Sequence, residues 1–188
     1  MDKVYTCVSY DRNDKFMEFI KDHGVLDPEN CKEMLLKTKA ILDKEKVPFI
    51  VVWGTLLGAY RDNAFIPYDE DVDIALHTVY KEQVSLLIPE FERQGFEFLR
   101  DLGDIISLKY RNDYIDFYFL SKALDGYYRC YTAGQRFDAW QLESGLSDVE
   151  FLGEKFKTVN NPEAWFKTHY GTDWRTPIKD KKDLLMWQ

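Results

Sequence analysis

Apolar residues recur along this chain with two periods, and the switch between them predicts the order of elements. Asp27-Pro28-Glu29 is a helix-start signature, and from there to about Lys46 the residues Cys31, Leu35, Thr38 and Leu42 fall near one face at helical spacing. This predicts an amphipathic helix packed on a sheet. Pro48 to Trp53 is a short apolar run rich in β-branched residues, suited to a buried strand, after which Gly54-Thr55 turns into a helix from about Leu56 to Arg61. Asp71 to Leu76 is the next strand. A helix from about Val79 to Gln94 carries Val84, Leu87, Ile88 and Phe91 as its apolar stripe, with a kink expected at Pro89 and a stop at Gly95. The period then moves towards two, which predicts short strands at Phe96 and Phe98, at Ile105 to Tyr110 and at Tyr114 to Leu120. Near the C-terminus, Asn161 can cap and Pro162 can occupy the first turn of a helix running to about His169.

Two stretches carry weaker patterns. Residues 1–27 read as an irregular lead-in with one short helix around Lys15 to Lys21. Residues 121–160, rich in Tyr, Gly and Asp, read as a variable insertion, either a sheet extension or an acceptor-binding loop. No repeat, low-complexity tract or Pro/Gly/Ser linker divides the chain, so one domain over residues 1–188 is expected. At 45% hydrophobic and 16% aromatic content it can bury a core of its own.

The formal net charge of -8 argues against nucleic-acid binding through broad phosphate neutralisation, leaving only a local basic pocket. Cys7, Cys31 and Cys130 are odd in number and widely spaced, and read as free thiols. His23, His77 and His169 are too scattered to suggest a tetrahedral zinc site and read as ordinary buried or surface histidines. The segment from Met1 to Asp14 lacks the apolar run of a signal peptide, and no later run reaches the length of a membrane span. A cytoplasmic location is expected, with any membrane contact peripheral.

The segment Trp53 to Ala75 holds the densest chemistry. Asp69, Asp71 and Asp73 alternate, so on an extended backbone all three side chains leave from one face. Like charges so placed are best tolerated around a divalent cation, and carboxylate oxygens suit Mg2+ or Mn2+. Asp116 stands alone in the apolar run from Tyr114 to Phe119, where a carboxylate needs a partner. If its strand lies beside Asp71 to Leu76, it completes a three-carboxylate cage. A solvated strand face, or pairing with Lys109 or Arg111, is the alternative. Gly54-Thr55 at a strand-to-helix junction offers N–H groups and a hydroxyl to an anion, and Arg61 follows close enough to point at the same phosphate.

The run from Gly54 to Leu76, with Gly54 to Arg61, Phe65 to Tyr68 and Asp71-Val72-Asp73 as its three parts, closely resembles the LicD family. That family includes phosphocholine transferases of bacterial cell-surface polysaccharides and fukutin-like phosphoribitol transferases. Tyr170-Gly171-Thr172-Asp173-Trp174-Arg175-Thr176-Pro177 is similar to the family's ending. Tyr68 and Glu70 depart from the Trp and Asp of many relatives, and residues 121–160 are unmatched.

The resemblance implies an α+β nucleotidyltransferase fold, a mixed β-sheet with helices packed on one face. It also implies a metal-dependent transferase that moves phosphocholine or a phospho-polyol from a CDP-linked donor to a glycan or lipid-linked saccharide, releasing CMP. Carried over by position, Asp71, Asp73 and Asp116 would be the catalytic metal ligands for Mg2+ or Mn2+. Gly54 and Thr55 would contact phosphate, with Arg61, Tyr68, Asp69, Lys109 and Trp174 as further substrate contacts. The aromatic rings of Trp53, Tyr68 and Trp174 suit a base or a choline ammonium, although most aromatics in such a domain are core. Two rivals share the same carboxylates: a nucleotidyltransferase that moves the nucleoside monophosphate, and a non-catalytic nucleotide-binding module.

Overall fold

The backbone order is α1 (Asp11–Asp22), α2 (Pro28–Lys44), β1 (Ile50–Val51), α3 (Trp53–Asp62), β2 (Val72–His77), α4 (Lys81–Arg93), β3 (Phe96–Asp101), β4 (Ile105–Tyr110) and β5 (Asp113–Lys122). It continues with β6 (Tyr127–Cys130), β7 (Gln135–Asp138), α5 (Ala139–Glu143), β8 (Ser147–Phe151), β9 (Glu154–Thr158) and α6 (Pro162–Tyr170). These elements come from a computed structural model, which describes residues 11–177. Cys7 therefore lies outside the described residues, while Cys31 and Cys130 are buried free thiols.

Five strands form the central sheet in the order β1-β2-β5-β4-β3, with β6 and β7 continuing from the far end of β5. Among the described residues only β2 and β5 pair in parallel, and the other neighbours are antiparallel. A parallel pair needs a crossover, which here is made by α4, β3 and β4. Along β5 the side chains alternate. Phe117 meets Phe91 of α4 at 5.6 Å on one face, while Tyr114, Asp116 and Tyr118 leave on the other.

Helix α2 lies beside α4, with the Lys37 ammonium donating to the Gln94 carbonyl at 3.1 Å. Its start is fixed by Asp27, which accepts from the Glu29 and Asn30 N–H groups at 3.0 and 3.2 Å. Cys31, Leu35, Thr38 and Leu42 are all buried, as their spacing predicts. Asn30 also donates to the Tyr110 carbonyl at 2.9 Å and to Asp113, and the Asp27 N–H reaches Asp113 at 3.0 Å. Asp113 is thus a docking point for α2. Burying Leu35 or Leu42 of α2 contributes about 1.5–3 kcal/mol each.

The opposite sheet face is covered in two parts. The β8–β9 hairpin, α5 and α6 fill one part, tied down by the Thr158 hydroxyl on the Val51 carbonyl at 3.0 Å and the Asn160 N–H on Gln141 at 2.7 Å. Helix α1 fills the other, with Phe16 edge-on to Tyr114 at 5.5 Å and Leu99 beside them. The described part of the lead-in, from Asp11, is therefore a packed element. Residues 121–160 become the β6–β7 extension of the sheet, α5 and the second hairpin. Among the described residues no helix is long and apolar enough to cross a membrane.

One boundary differs from the periodicity. Only Ile50–Val51 pair as strand, and α3 begins at Trp53, with Trp53 at φ 47 and Val52 as N-cap. Gly54 and Thr55 consequently lie within the first turn of the helix. At the other end, Asn63 at φ 50 turns the chain back so tightly that the Ala64 N–H meets the Gly58 carbonyl at 3.3 Å. A Cβ at Gly58 would stand 2.4 Å from the Ala64 carbonyl oxygen.

Backbone atoms cannot swing aside as a side-chain tip can, so Gly58→Ala is expected to lower stability by about 1–3 kcal/mol. Gly24, where a Cβ would meet nothing within 4 Å, provides the control. Its Ala variant should stay within about 0.5 kcal/mol of the parent. Urea-unfolding midpoints of the two variants check this; equal midpoints would show that the turn after α3 yields.

Candidate active site

Parallel pairing of β2 and β5 sets Asp73 directly across from Asp116, and Asp71 precedes β2 by one residue on the side shared with Asp73. Asp73 and Asp116 are 5% and 3% exposed. The Thr55 hydroxyl accepts the Asp73 N–H at 2.8 Å and is itself buried, so it locks the first turn of α3 to the acid-bearing strand. Val52, the N-cap residue of α3, makes no side-chain cap hydrogen bond.

The expected alternation of three acids holds for Asp71 and Asp73 only. Asp69 lies in the turn before the strand, its N–H on the Ile66 carbonyl at 3.0 Å, because the extended run begins at Val72. Its carboxylate still reaches the site, lying against Gly54, where a Cβ would come within 2.0 Å of Asp69 Oδ2. Negative charge is favoured at a helix start. The chain ahead of α2 holds this turn from outside: the Leu26 N–H meets the Asp69 carbonyl at 3.0 Å, and His23 Nε2 donates to the Glu70 carbonyl at 2.6 Å.

A cavity of about 310 Å³ lies at Asp71 and Asp73, lined by Trp53, Tyr118, Ala133, Gln135, His169 and Tyr170. Its wall is an aromatic stack in which Trp53 packs on Phe137 and Trp165, each at 5.1 Å, and on His169 at 5.3 Å. A larger cavity of about 400 Å³ lies further along the strands, among Phe49, Leu76, Leu120, Leu142 and Phe156. Its lining is mostly apolar, and two of its cations are paired, Lys39 with Asp43 and Lys157 with Asp148. The carboxylates, not cavity size, locate the chemistry.

Burial is the first cause that pushes Asp71 up to about 8, with repulsion from Asp116 and Asp69 adding to it and a hydrogen bond from Tyr114 opposing it. Asp73 is raised for the same reasons, burial first, then Asp71, Asp69 and Asp116, with Tyr118 opposing. Asp116 is raised by burial, with Arg100, Ser107 and Tyr118 working against the shift. Tyr114 and Tyr118 are themselves pushed far up by burial and by these acids, so both hydroxyls stay protonated donors.

The residues expected from sequence separate into two groups. Asp71, Asp73, Asp116, Gly54, Thr55 and Asp69 converge. Arg61, Tyr68, Lys109 and Trp174 do not line the cavity. Arg61 pairs with Asp62 at 2.7 Å, Lys109 with Glu97 at 3.6 Å, and Arg111 with Glu33 at 2.7 Å. Trp174 is buried against Phe166 at 4.5 Å, and Tyr68 packs on the main core. In their place the fold brings Arg100, Ser107, Tyr114, Tyr118, Gln135, His169 and Tyr170 to the acids or the cavity. No local pattern marks these residues, since they come from distant elements; the alternation Tyr114-Asp116-Tyr118 is the one signal that could have found two of them.

The donor set suits a hard divalent cation: carboxylate oxygens only, buried, and mutually repelling. Asp71, Asp73 and Asp116 are the residues that could hold one. As the side chains stand, no three acids or other ligating residues among the described residues converge on a single ion position. Asp116 is turned into its bonds with Arg100 and Ser107.

His169 titrates away from the acids. Burial holds it down to about 4 against an ordinary 6.5, with Asp138 opposing and Arg136 assisting. Between those values the unfolded chain binds a proton here that the folded protein does not, so stability falls as pH drops through that window and is fully present above 6.5. His169→Gln is expected to flatten the loss of stability between pH 7 and 4.5, read as denaturant midpoints at both pH values. An unchanged difference between them would place the imidazole in solvent.

Residues 46–172 match the family model described as LicD/FKTN/FKRP, nucleotidyltransferase domain. The human ribitol-5-phosphate transferase FKTN is 26% identical over 176 residues, a match covering 87% of this chain and 38% of FKTN. The lipopolysaccharide cholinephosphotransferase LicD of Haemophilus influenzae is 36% identical over 47 residues, 25% of this chain and 18% of that protein. This chain therefore spans well under half of the curated relatives it matches. Among solved structures, the lincosamide antibiotic adenylyltransferase LnuA, lincomycin-bound, is similar with TM-score 0.50 and 17% identity, covering 88% of this chain and 99% of that one. The antibiotic-resistance factor ANT(2'')-Ia is similar with TM-score 0.53 and 12% identity, covering 83% and 80%. At such identity these two structures show the nucleotidyltransferase fold and nothing of the substrate. The family match extends over more than half of the sequence and takes in the acid-bearing strands, and on that ground the chain belongs to the LicD family.

Proposed function

We propose that this chain is a metal-dependent transferase that moves a phospho-alcohol group, phosphocholine or a phospho-polyol, from a CDP-linked donor to a hydroxyl of a glycan or lipid-linked saccharide, releasing CMP. The observation that carries this reading is the register of β2 against β5, which sets Asp73 beside Asp116 and next to Asp71 at an aromatic-walled cavity. Two family members named for phospho-alcohol transfer, to which this chain is similar, support the choice of group transferred. A cytoplasmic setting with peripheral membrane contact belongs to the same reading.

Asp71 and Asp73, with Asp116 as third acid, would hold Mg2+ or Mn2+, which supplies charge neutralisation for the donor diphosphate. The chain's own residues do the rest. The start of α3, at Gly54 and Thr55, would favour negative charge through its helix dipole, beside the Asp69 carboxylate that already lies against Gly54. Trp53, Tyr118 and Tyr170 wall the cavity and exclude water from the reacting phosphorus. The acceptor oxygen bonds to the phosphorus that bears the alcohol as the bond to the CMP oxygen breaks. The hydroxyl proton passes to a carboxylate oxygen of Asp116, and CMP leaves as the phosphate anion. Most of the rate comes from positioning and fixed electrostatics.

A thermal-shift series tests the reading with CDP-choline, CDP-ribitol, CDP-glycerol, CTP, UTP and ATP, each with and without Mn2+. Stabilisation by one CDP-alcohol that needs Mn2+ is the expected result, because a ligand bound only by the native state raises the melting temperature by mass action. A shift with a nucleoside triphosphate alone would move the assignment to nucleotidyl transfer, and no metal-dependent shift at all would leave a non-catalytic module.

With the donor so identified, Asp71→Asn and Asp73→Asn should each lower turnover by about 100- to 1,000-fold. The metal-free melting temperature should not fall, since each variant replaces a buried acid, whose ionised form its neighbours repel, with a neutral side chain of similar shape. Near-parental turnover in either variant would remove that residue from the metal-binding set.

A further inference from the structure

Asp116 differs from Asp71 and Asp73 in having a cation already at its side. Arg100 donates from Nη2 to Asp116 Oδ2 at 3.1 Å and from Nε to the Ser107 hydroxyl at 2.7 Å, and Ser107 donates to Asp116 Oδ1. The guanidinium lies over the Phe16 ring of α1, 3.4 Å from its centroid, and the Arg100 side chain is 15% exposed. This is a built arrangement rather than a surface ion pair. Both carboxylate oxygens are engaged, Oδ2 by the guanidinium and Oδ1 by the Ser107 hydroxyl, and Tyr118 is a further donor to the acid.

The backbone is shaped to deliver Arg100 there. In the β3–β4 ladder, Phe98 pairs with Leu108, but Arg100 pairs with Ser107 and Asp101 with Ile106, so Leu99 is an extra residue in β3. Without that bulge Arg100 would oppose Ile106 and point to the face covered by α4. With it, Leu99 packs on Phe16 and Tyr114 while Arg100 turns onto Ser107 and Asp116. A bulge that re-aims one side chain at a site is a recurrent device.

We propose that Arg100 is a positioning residue. It fixes the Asp116 carboxylate and occupies, as a permanent charge, the place at that acid where a second cation would otherwise bind, so the three acids together take one divalent ion. The inference rests on the metal-dependent reading above. Two-ion phosphoryl-transfer centres set their ions about 3.5–4 Å apart. A guanidinium locked onto one oxygen of the third acid opposes an ion at that second position and supplies part of the same neutralisation. Lys109, Arg111 and Arg61 are paired elsewhere, so none of them duplicates this charge.

The test is Mn2+ alone titrated into the full chain, with free Mn2+ followed by electron paramagnetic resonance, for the parent, Arg100→Gln and Arg100→Lys. The parent is expected to bind one ion. Arg100→Lys keeps the charge and should bind one ion with affinity within about threefold of the parent. Arg100→Gln should either take up a second ion or hold the first at least about tenfold tighter, and should gain more in melting temperature from Mn2+ than the parent does. Structural damage alone would instead weaken metal binding, so binding in Arg100→Gln that is weaker than the parent's, or unchanged from it, overturns the proposal. Two ions in the parent overturn it as well. A parent chain that binds no Mn2+ overturns the metal-dependent reading beneath it, a different result from either. Arg100→Met, with the same change of charge, takes the place of Arg100→Gln if that variant does not fold.

Discussion

Buried carboxylates repel one another and cost the fold free energy, and in this protein that cost is concentrated where β2 runs parallel to β5. The pairing puts Asp73 against Asp116, with Asp71 two residues from Asp73 on the same side. Much of the surrounding structure offsets the repulsion. Tyr114 and Tyr118 present protonated hydroxyls to the acids, Thr55 ties the strand carrying Asp73 to α3, and Arg100 with Ser107 holds Asp116. Burial still leaves Asp71 and Asp73 raised well above the ordinary carboxylate range. A bound cation would relieve that repulsion, which is the physical basis of the proposal that the site holds a metal.

The two glycines of the acid-bearing motif act through space that must stay empty. At Gly54 the Asp69 carboxylate occupies the position a Cβ would take, and at Gly58 the returning backbone at Ala64 does so. They allow the segment between α3 and β2 to fold back onto the helix, which brings Asp69 beside the helix start. The N-terminal helix then has a role that its weak sequence pattern hides. Phe16 roofs Arg100, and His23 and Leu26 hold the backbone at Glu70 and Asp69, so α1 and its connection to α2 brace the site from outside.

Fold and chemistry are separable here. The nucleotidyltransferase fold places two acids of one strand beside a third on its parallel neighbour, and unrelated transfers can use that triad. The cavity is completed by Ala133 and Gln135 of the β6–β7 hairpin and by His169 and Tyr170 of α6, all within the residues that match the family model. On the proposed function, those residues rather than the acids would distinguish one donor or acceptor from another. Neutral at pH 7, His169 offers the cavity a hydrogen-bonding group without a charge.

Local order was legible in the chain because it depends on neighbours in sequence. The helical stripe of α2, the strand at Ile105–Tyr110, the cap and proline that start α6, and the acids at Asp71 and Asp73 all follow from spacing or from residues within a few positions. Tertiary structure decided what depends on register and on approach from afar. It shortened β1 to two residues because α3 starts early, and it took Asp69 out of the strand. Cations expected to serve substrate were paired elsewhere: Arg61 with Asp62 and Lys109 with Glu97. The partner of Asp116 came from neither of the nearby cations, Lys109 and Arg111, but from Arg100 across two strands. One bulged residue, Leu99, decides which face Arg100 occupies. A one-residue shift in a ladder reverses every side chain beyond it, and no pattern read along a single strand contains that information.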